Sequence, residues 1–220
     1  FIPLDIYTRD GVPFFLPPTQ WTVEAFKQLL GHSLFPRVIW NSVIITVLGT
    51  AISLFLTVPL AYGLSTRNLP GRKLIMTLVL FTYLFSPGLI PVYLLITGMK
   101  LTNNYLAVIL PPAVSVYNTL VMMSFFEGLP EDLKEAARLD GCTTPQMLWR
   151  IVVPLVRPGL AATAILVFVF SWNEFAVALT LSGNRTATVP VAIAKFAQEY
   201  EIKNGVMAAE LVHHGATGVA

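Results

Sequence analysis

The residues able to do chemistry in this sequence are few and far apart. There is one thiol, Cys142, so no intrachain disulfide can form. The adjacent pair His213 and His214 does not set both rings on one helical face for a metal, and neither C-x-x-C nor H-E-x-x-H occurs. The long apolar stretches hold no aspartate and no G-x-S-x-G serine, which leaves no nucleophile or aspartate pair for hydrolysis inside them. Candidates for polar chemistry inside those stretches include one carboxylate, Glu174, and the carboxamides Asn118 and Asn173. A carboxylate at membrane depth is a functional candidate because ionisation there is costly. The competing reading of Glu174 is an outer-interface residue packed beside Trp172, and both stand. Asn118 and Asn173 likewise either bind a polar ligand or join neighbouring helices.

The densest charge lies in Leu129 to Pro154, LPEDLKEAARLDGCTTPQMLWRIVVP. Its pattern predicts two short helices and a turn. Pro130 suits a first helical position, where a missing N–H costs nothing, and Glu131 and Asp132 face the positive end of the helix dipole. Leu133, Ala136, Ala137 and Leu139 are expected to form a narrow apolar face. Asp140-Gly141 ends the helix, with Gly141 supplying the left-handed turn. Thr144 is expected to cap the second helix, with Pro145 at its start, and Met147, Leu148 and Trp149 lead toward the membrane. A short rigid helix with small residues at its centre is a surface for a partner to grip.

The elements that position this segment are apolar blocks. Hydrophobic residues make up 55% of the 220 positions and charged ones 12%, half the charged share of an ordinary soluble domain at about 25%. The mean hydropathy of +0.70 agrees. Blocks at about 38–64, 74–99, 105–126 and 159–181 each reach the roughly 20 residues needed to cross a bilayer. The second is interrupted by Ser86, Pro87, Gly88 and Pro91, and the third carries Pro111 and Pro112 near its start. Residues 1–37 form a proline-rich extramembrane segment with one amphipathic piece from Thr22 to Leu30, and 182–220 hold no further uninterrupted span. Arg67, Arg72, Lys73, Lys134, Arg138, Arg150 and Arg157 crowd the short loops after the first and third blocks, which places those loops in the cytoplasm. The formal net charge of +2 gives no footprint for nucleic acid.

Glu135-Ala136-Ala137, three residues, Gly141, nine residues, Ile151, two residues and Pro154 resemble the EAA signature of the membrane subunits of ATP-binding-cassette importers, with Val153 where that family usually has leucine. NTLVMMSFFEGLP (118–130), SWNEF (171–175), PGRK and LIPVYLL resemble the carbohydrate-uptake, maltose-type branch. The resemblance runs from about Trp21 to Ala209. It implies an all-α polytopic bundle of the type I importer kind in the bacterial cytoplasmic (inner) membrane, with the transmembrane domain at 38–209, the coupling-helix loop at 127–157 and an atypical tail at 210–220. It further implies that a span before the proline-rich segment and one after Met207-Ala208-Ala209 are missing, as in an incomplete or frame-disrupted product.

By the same resemblance the chain is a sugar permease and not an enzyme. Glu135, Ala136, Ala137, Asp140, Gly141, Ile151 and Pro154 would couple it to a dimer of ATPase subunits that bind ATP and magnesium, with no cofactor held by this chain. A second permease subunit would complete the pore, an extracytoplasmic solute-binding protein would deliver the solute, and Asn118, Asn173 and Glu174 are candidates for the substrate pathway. Tyr83 and Phe85 beside the proline break are either pathway or packing residues. The alternatives are an importer for an amino acid, polyamine or phosphate, and a membrane scaffold without transport.

Overall fold

The computed structural model describes residues 34–66, 69–85, 87–183 and 185–199, with Val23, Lys27 and Gly31; the amphipathic piece expected at 22–30 therefore lies outside the described residues apart from Val23 and Lys27. Regular structure among the described residues is helical throughout. Two compact units are distinguished, Asn41–Ala187 and a smaller one whose described parts are Val23, Lys27, Gly31 and residues 34–40 and 188–199, with a helix at 189–199.

The first long helix is α1, Phe35–Ser65, and from Asn41 onward it frames the larger unit. Its 31 residues carry Arg37 near the start and no other charge, and its length of about 46 Å exceeds the hydrocarbon thickness of about 30 Å. It alone among the described helices is long and apolar enough to cross a membrane unbroken. Thr46, Thr50, Ser53 and Thr57 recur at helical spacing and mark the face that α1 turns inward.

The remaining blocks are broken. The second gives α2 (Arg72–Leu84) and α3 (Leu89–Gly98), separated at Gly88, whose φ of 72° suits glycine alone. The blocks expected at 105–126 and 159–181 are also interrupted. The first becomes α4 (Tyr105–Ile109) and α5 (Val116–Glu127), because Pro111 and Pro112 cannot donate backbone bonds and Ser115 starts a new helix by accepting the Asn118 N–H. The second becomes α8 (Arg157–Trp172) and α9 (Ala176–Leu181), parted at Asn173–Phe175. Between them lie α6 (Glu131–Leu139) and α7 (Thr144–Leu155). Broken helices at membrane depth are stable only where protein satisfies the freed backbone. The packing of α5 on α8, α2 on α5, and α3 and α4 on α9 ties the broken pieces into one bundle, while Gly88, Pro112 and Asn173 at the breaks are exposed.

Polar fastenings lie toward both ends of α1. At one, the Asn41 amide donates to the carbonyls of Arg185 (2.9 Å) and Ala187 (3.0 Å) and its oxygen accepts from the Tyr105 hydroxyl (2.9 Å). At the other, the Tyr62 hydroxyl donates to Met147 Sδ at 3.1 Å, and its ring meets Phe126 edge-on at 5.6 Å. Asn41 and Tyr62 stand about 30 Å apart along the helix by its rise, which is one hydrocarbon thickness.

Candidate functional site

The segment between α5 and α8 is built from local sequence and then pinned to the bundle. Pro130 has φ −57° and ψ 135°, so it precedes the helix as its N-cap and is not the first helical residue; α6 starts at Glu131. The helix ends in a Schellman motif: the Cys142 N–H donates to the Ala137 carbonyl and the Gly141 N–H to that of Arg138, each at 3.0 Å. Gly141 has φ 79°, the left-handed conformation the sequence expects there. The cap of α7 is Thr143 and not Thr144. Gln146, three residues on, reaches back so that its Oε1 accepts the Thr143 N–H at 3.0 Å. The Thr-x-x-Gln spacing that makes this capping box was legible in the sequence.

Burial divides α6 differently from the expected apolar face. Ala137 and Lys134 turn inward, and Lys134 pairs with Glu131 at 3.1 Å. Ala136 is exposed, Leu133 is half-buried and Leu139 is 89% exposed. Asp132, Glu135, Ala136 and Leu139 thus form one outward stripe at i, i+3, i+4 and i+7, continued by Asp140 and Gly141. A leucine at the end of so short a helix cannot reach the core when the chain leaves by a left-handed turn. Leu139 and Asp132 were missed as outward residues, although their spacing from Glu135 and Ala136 carries the signal.

Behind this stripe lies a cluster of Val58, Ala61 and Tyr62 from α1, Met122 and Phe126 from α5, Ala137, and Met147, Leu148 and Val152 from α7. Ile151 and Cys142 are half-buried against it. Trp149 is instead half-exposed and stacks on Phe55, with ring centroids 6.4 Å apart. Pro154 follows a wide, π-helical stretch at Leu148–Val152. The reason is steric: a proline ring crowds the carbonyl four residues back and leaves it without a donor, and a widened turn relieves the conflict. Beyond it α7 meets α8 at 87°, so the segment lies across the bundle. Arg72 ties the same end together: its Nε donates to the Leu64 carbonyl at 2.7 Å and its Nη2 to Glu127 at 3.0 Å. One guanidinium thereby joins the ends of α1 and α5 to the start of α2.

Of the three pathway candidates Asn118, Asn173 and Glu174, two come together. Asn118 and Glu174 line one cleft of 540 Å³ within the larger unit, with Tyr83, Tyr117, Phe170 and Ser171. Asn118 is 2% exposed. Glu174 is half-buried, and its Oε1 accepts the Val177 N–H at 3.0 Å, which caps α9. Asn173 stays apart; it is exposed and its amide donates to the Val169 carbonyl at 2.8 Å, closing α8. Trp172 stacks on Phe168 at 6.3 Å. Tyr83 lines the cleft, and Phe85 does not.

Residues 40–212 match the family described as binding-protein-dependent transport system inner membrane component. Two curated relatives come from Bacillus subtilis (strain 168). Protein LplC is 41% identical over 166 residues, 76% of this chain and 56% of that protein. The polygalacturonan/rhamnogalacturonan transport system permease protein YtcP is 37% identical over 180 residues, 82% of this chain and 63% of that protein. The chain thus spans less than two thirds of the length of either. A crystal structure of a bacterial ABC transporter involved in the import of the acidic polysaccharide alginate has a similar chain, with a TM-score of 0.76 and 30% identity, covering 86% of this chain and 67% of that one.

Proposed function

Because this chain belongs to the family of binding-protein-dependent transport system inner membrane components, we propose that it is a sugar or oligosaccharide permease subunit of an ATP-binding-cassette importer. A separate pair of ATPase subunits, holding ATP and magnesium, drives it by docking on α6. A second permease subunit completes the pore, and an extracytoplasmic binding protein supplies the solute.

The observation that carries this reading is the division of α6. Its outward stripe of Asp132, Glu135, Ala136 and Leu139 is free for a partner, while Ala137 and α7 are rooted in a cluster shared with α1 and α5. Force applied to the stripe would reach the membrane helices through packed side chains and through the Arg72 junction. A rigid lever on a bistable bundle is what alternating access requires. The role of Glu135, Ala136, Ala137, Asp140, Gly141, Ile151 and Pro154 is therefore mechanical. Transport of a saccharide, as a class and whatever its charge, is favoured by the named substrates of the relative YtcP and the alginate transporter, both of them acidic polysaccharides.

Uptake is the direct test. Proteoliposomes holding the chain with its partner subunits, and ATP on the ATPase side, should accumulate at least one saccharide from a panel of neutral and acidic oligosaccharides. Accumulation of an amino acid or polyamine alone would refute the saccharide assignment, and ATP-independent accumulation would refute the importer.

A further inference from the structure

We infer that the cleft between α2, α5 and α8 is a subsite for an uncharged saccharide, and that Asn118 and Glu174 make it reject acidic ones. The inference deepens the importer reading and rests on it. Its chemistry follows from what lines the cleft. The Asn118 Oδ1 is buried and has no hydrogen-bond partner, although the cleft runs past its side chain. A buried acceptor left unpaired is costly, so a turn of the Asn118 amide toward the cleft would gain by pairing it with a ligand donor. Glu174 adds a second acceptor: one carboxylate oxygen holds the Val177 N–H, and the group also borders the cleft. Saccharide hydroxyls are donors of the required kind. Tyr83, Tyr117 and Phe170 add aromatic surface against which the apolar C–H faces of a sugar ring can lie.

The same lining excludes the alternative. Among the described residues that border the cleft there is no lysine, arginine or histidine. A uronate or sulfonate would meet Glu174 with no cation between them, at a depth where like charges interact strongly. The volume of 540 Å³ suits a short segment of an oligosaccharide.

The test is direct binding, with uptake kept separate. Saturation-transfer NMR would be recorded on the full chain in lipid nanodiscs, with maltotetraose as the neutral probe and tetragalacturonate as the acidic one. Wild type should transfer saturation to maltotetraose, and to tetragalacturonate about tenfold less, the effect of one unpaired charge at this range. Glu174→Gln keeps an oxygen to accept the Val177 N–H, so α9 stays capped while the charge is gone. It should bring tetragalacturonate close to maltotetraose. Asn118→Leu should weaken maltotetraose about tenfold. Equal signals from both probes in wild type would overturn the inference. So would a tetragalacturonate signal that Glu174→Gln leaves unchanged, or the absence of any maltotetraose signal. These outcomes need no ATPase, so the cleft can fail while the importer stands, and the reverse.

Discussion

Gly141→Val should lower ATP-driven uptake about tenfold while ATP hydrolysis by the assembled complex continues. Gly141 sits at φ 79° and a Cβ there meets nothing within 4 Å, so the space at the branch point is open. The substitution acts on the backbone, where a β-branched residue in the left-handed region costs about 1–3 kcal/mol. That strain falls on the Schellman turn, whose two bonds from Gly141 and Cys142 fix where α6 ends and α7 begins. Relieving it swings the outward stripe relative to the cluster beneath. Gly141→Asn is the control, because asparagine tolerates this conformation, and it should retain most of the uptake. Full uptake by the valine variant in a hydrolysing complex would mean that α6 does not need this geometry.

The largest expected loss of stability is at Gly159. A Cβ there would lie 2.3 Å from Phe125 Cγ, far inside contact distance, because the ring of Phe125 rests on the first turn of α8. The collision is with the root of the ring, which cannot swing away as a chain end would. Overpacking of this kind costs about 1–3 kcal/mol. Gly159→Ala should therefore lower the thermal unfolding midpoint of the purified chain, and Gly159→Leu should lower it further. Phe125→Ala combined with Gly159→Ala should recover much of the loss, since the two residues share one contact. Additive losses in the double variant would show that Phe125 and Gly159 do not meet.

The sequence made some of this architecture legible and hid the rest for physical reasons. The uncharged run from Val38 to Leu64 could only be a long helix, and α1 contains it. The breaks beside Pro87-Gly88 and Pro111-Pro112 followed from residues that cannot sustain a helix. The break at Asn173–Phe175 has neither proline nor glycine. It exists because the Asn173 amide turns back to Val169 and Glu174 caps the next helix, choices invisible to hydropathy.

The functional segment was read at the level of spacing and misread at the level of faces. Asp140-Gly141 announced the turn, because glycine alone takes that conformation freely. The expectation that Leu139 faces inward came from treating every apolar residue as core. The inward positions are set by where α6 meets α1 and α5, and that contact spans distant sequence. In the same way Asn118 on α5, Tyr83 on α2 and Glu174 in the break after α8 are far apart in sequence, and only packing could bring them to one cleft.

The central claim, that α6 is the cytoplasmic docking surface for an ATPase, is tested most directly at Leu139. This residue is 89% exposed at the C-terminal end of α6 on the outward stripe, whereas Cys142 is half-buried against the core. Leu139→Cys in a Cys142→Ala background would be treated with a membrane-impermeant maleimide in right-side-out and inside-out vesicles, with and without the partner ATPase. Labelling is expected only in inside-out vesicles, with protection when the ATPase is bound. Labelling from the outer face, or labelling that the ATPase leaves unchanged, would contradict the claim.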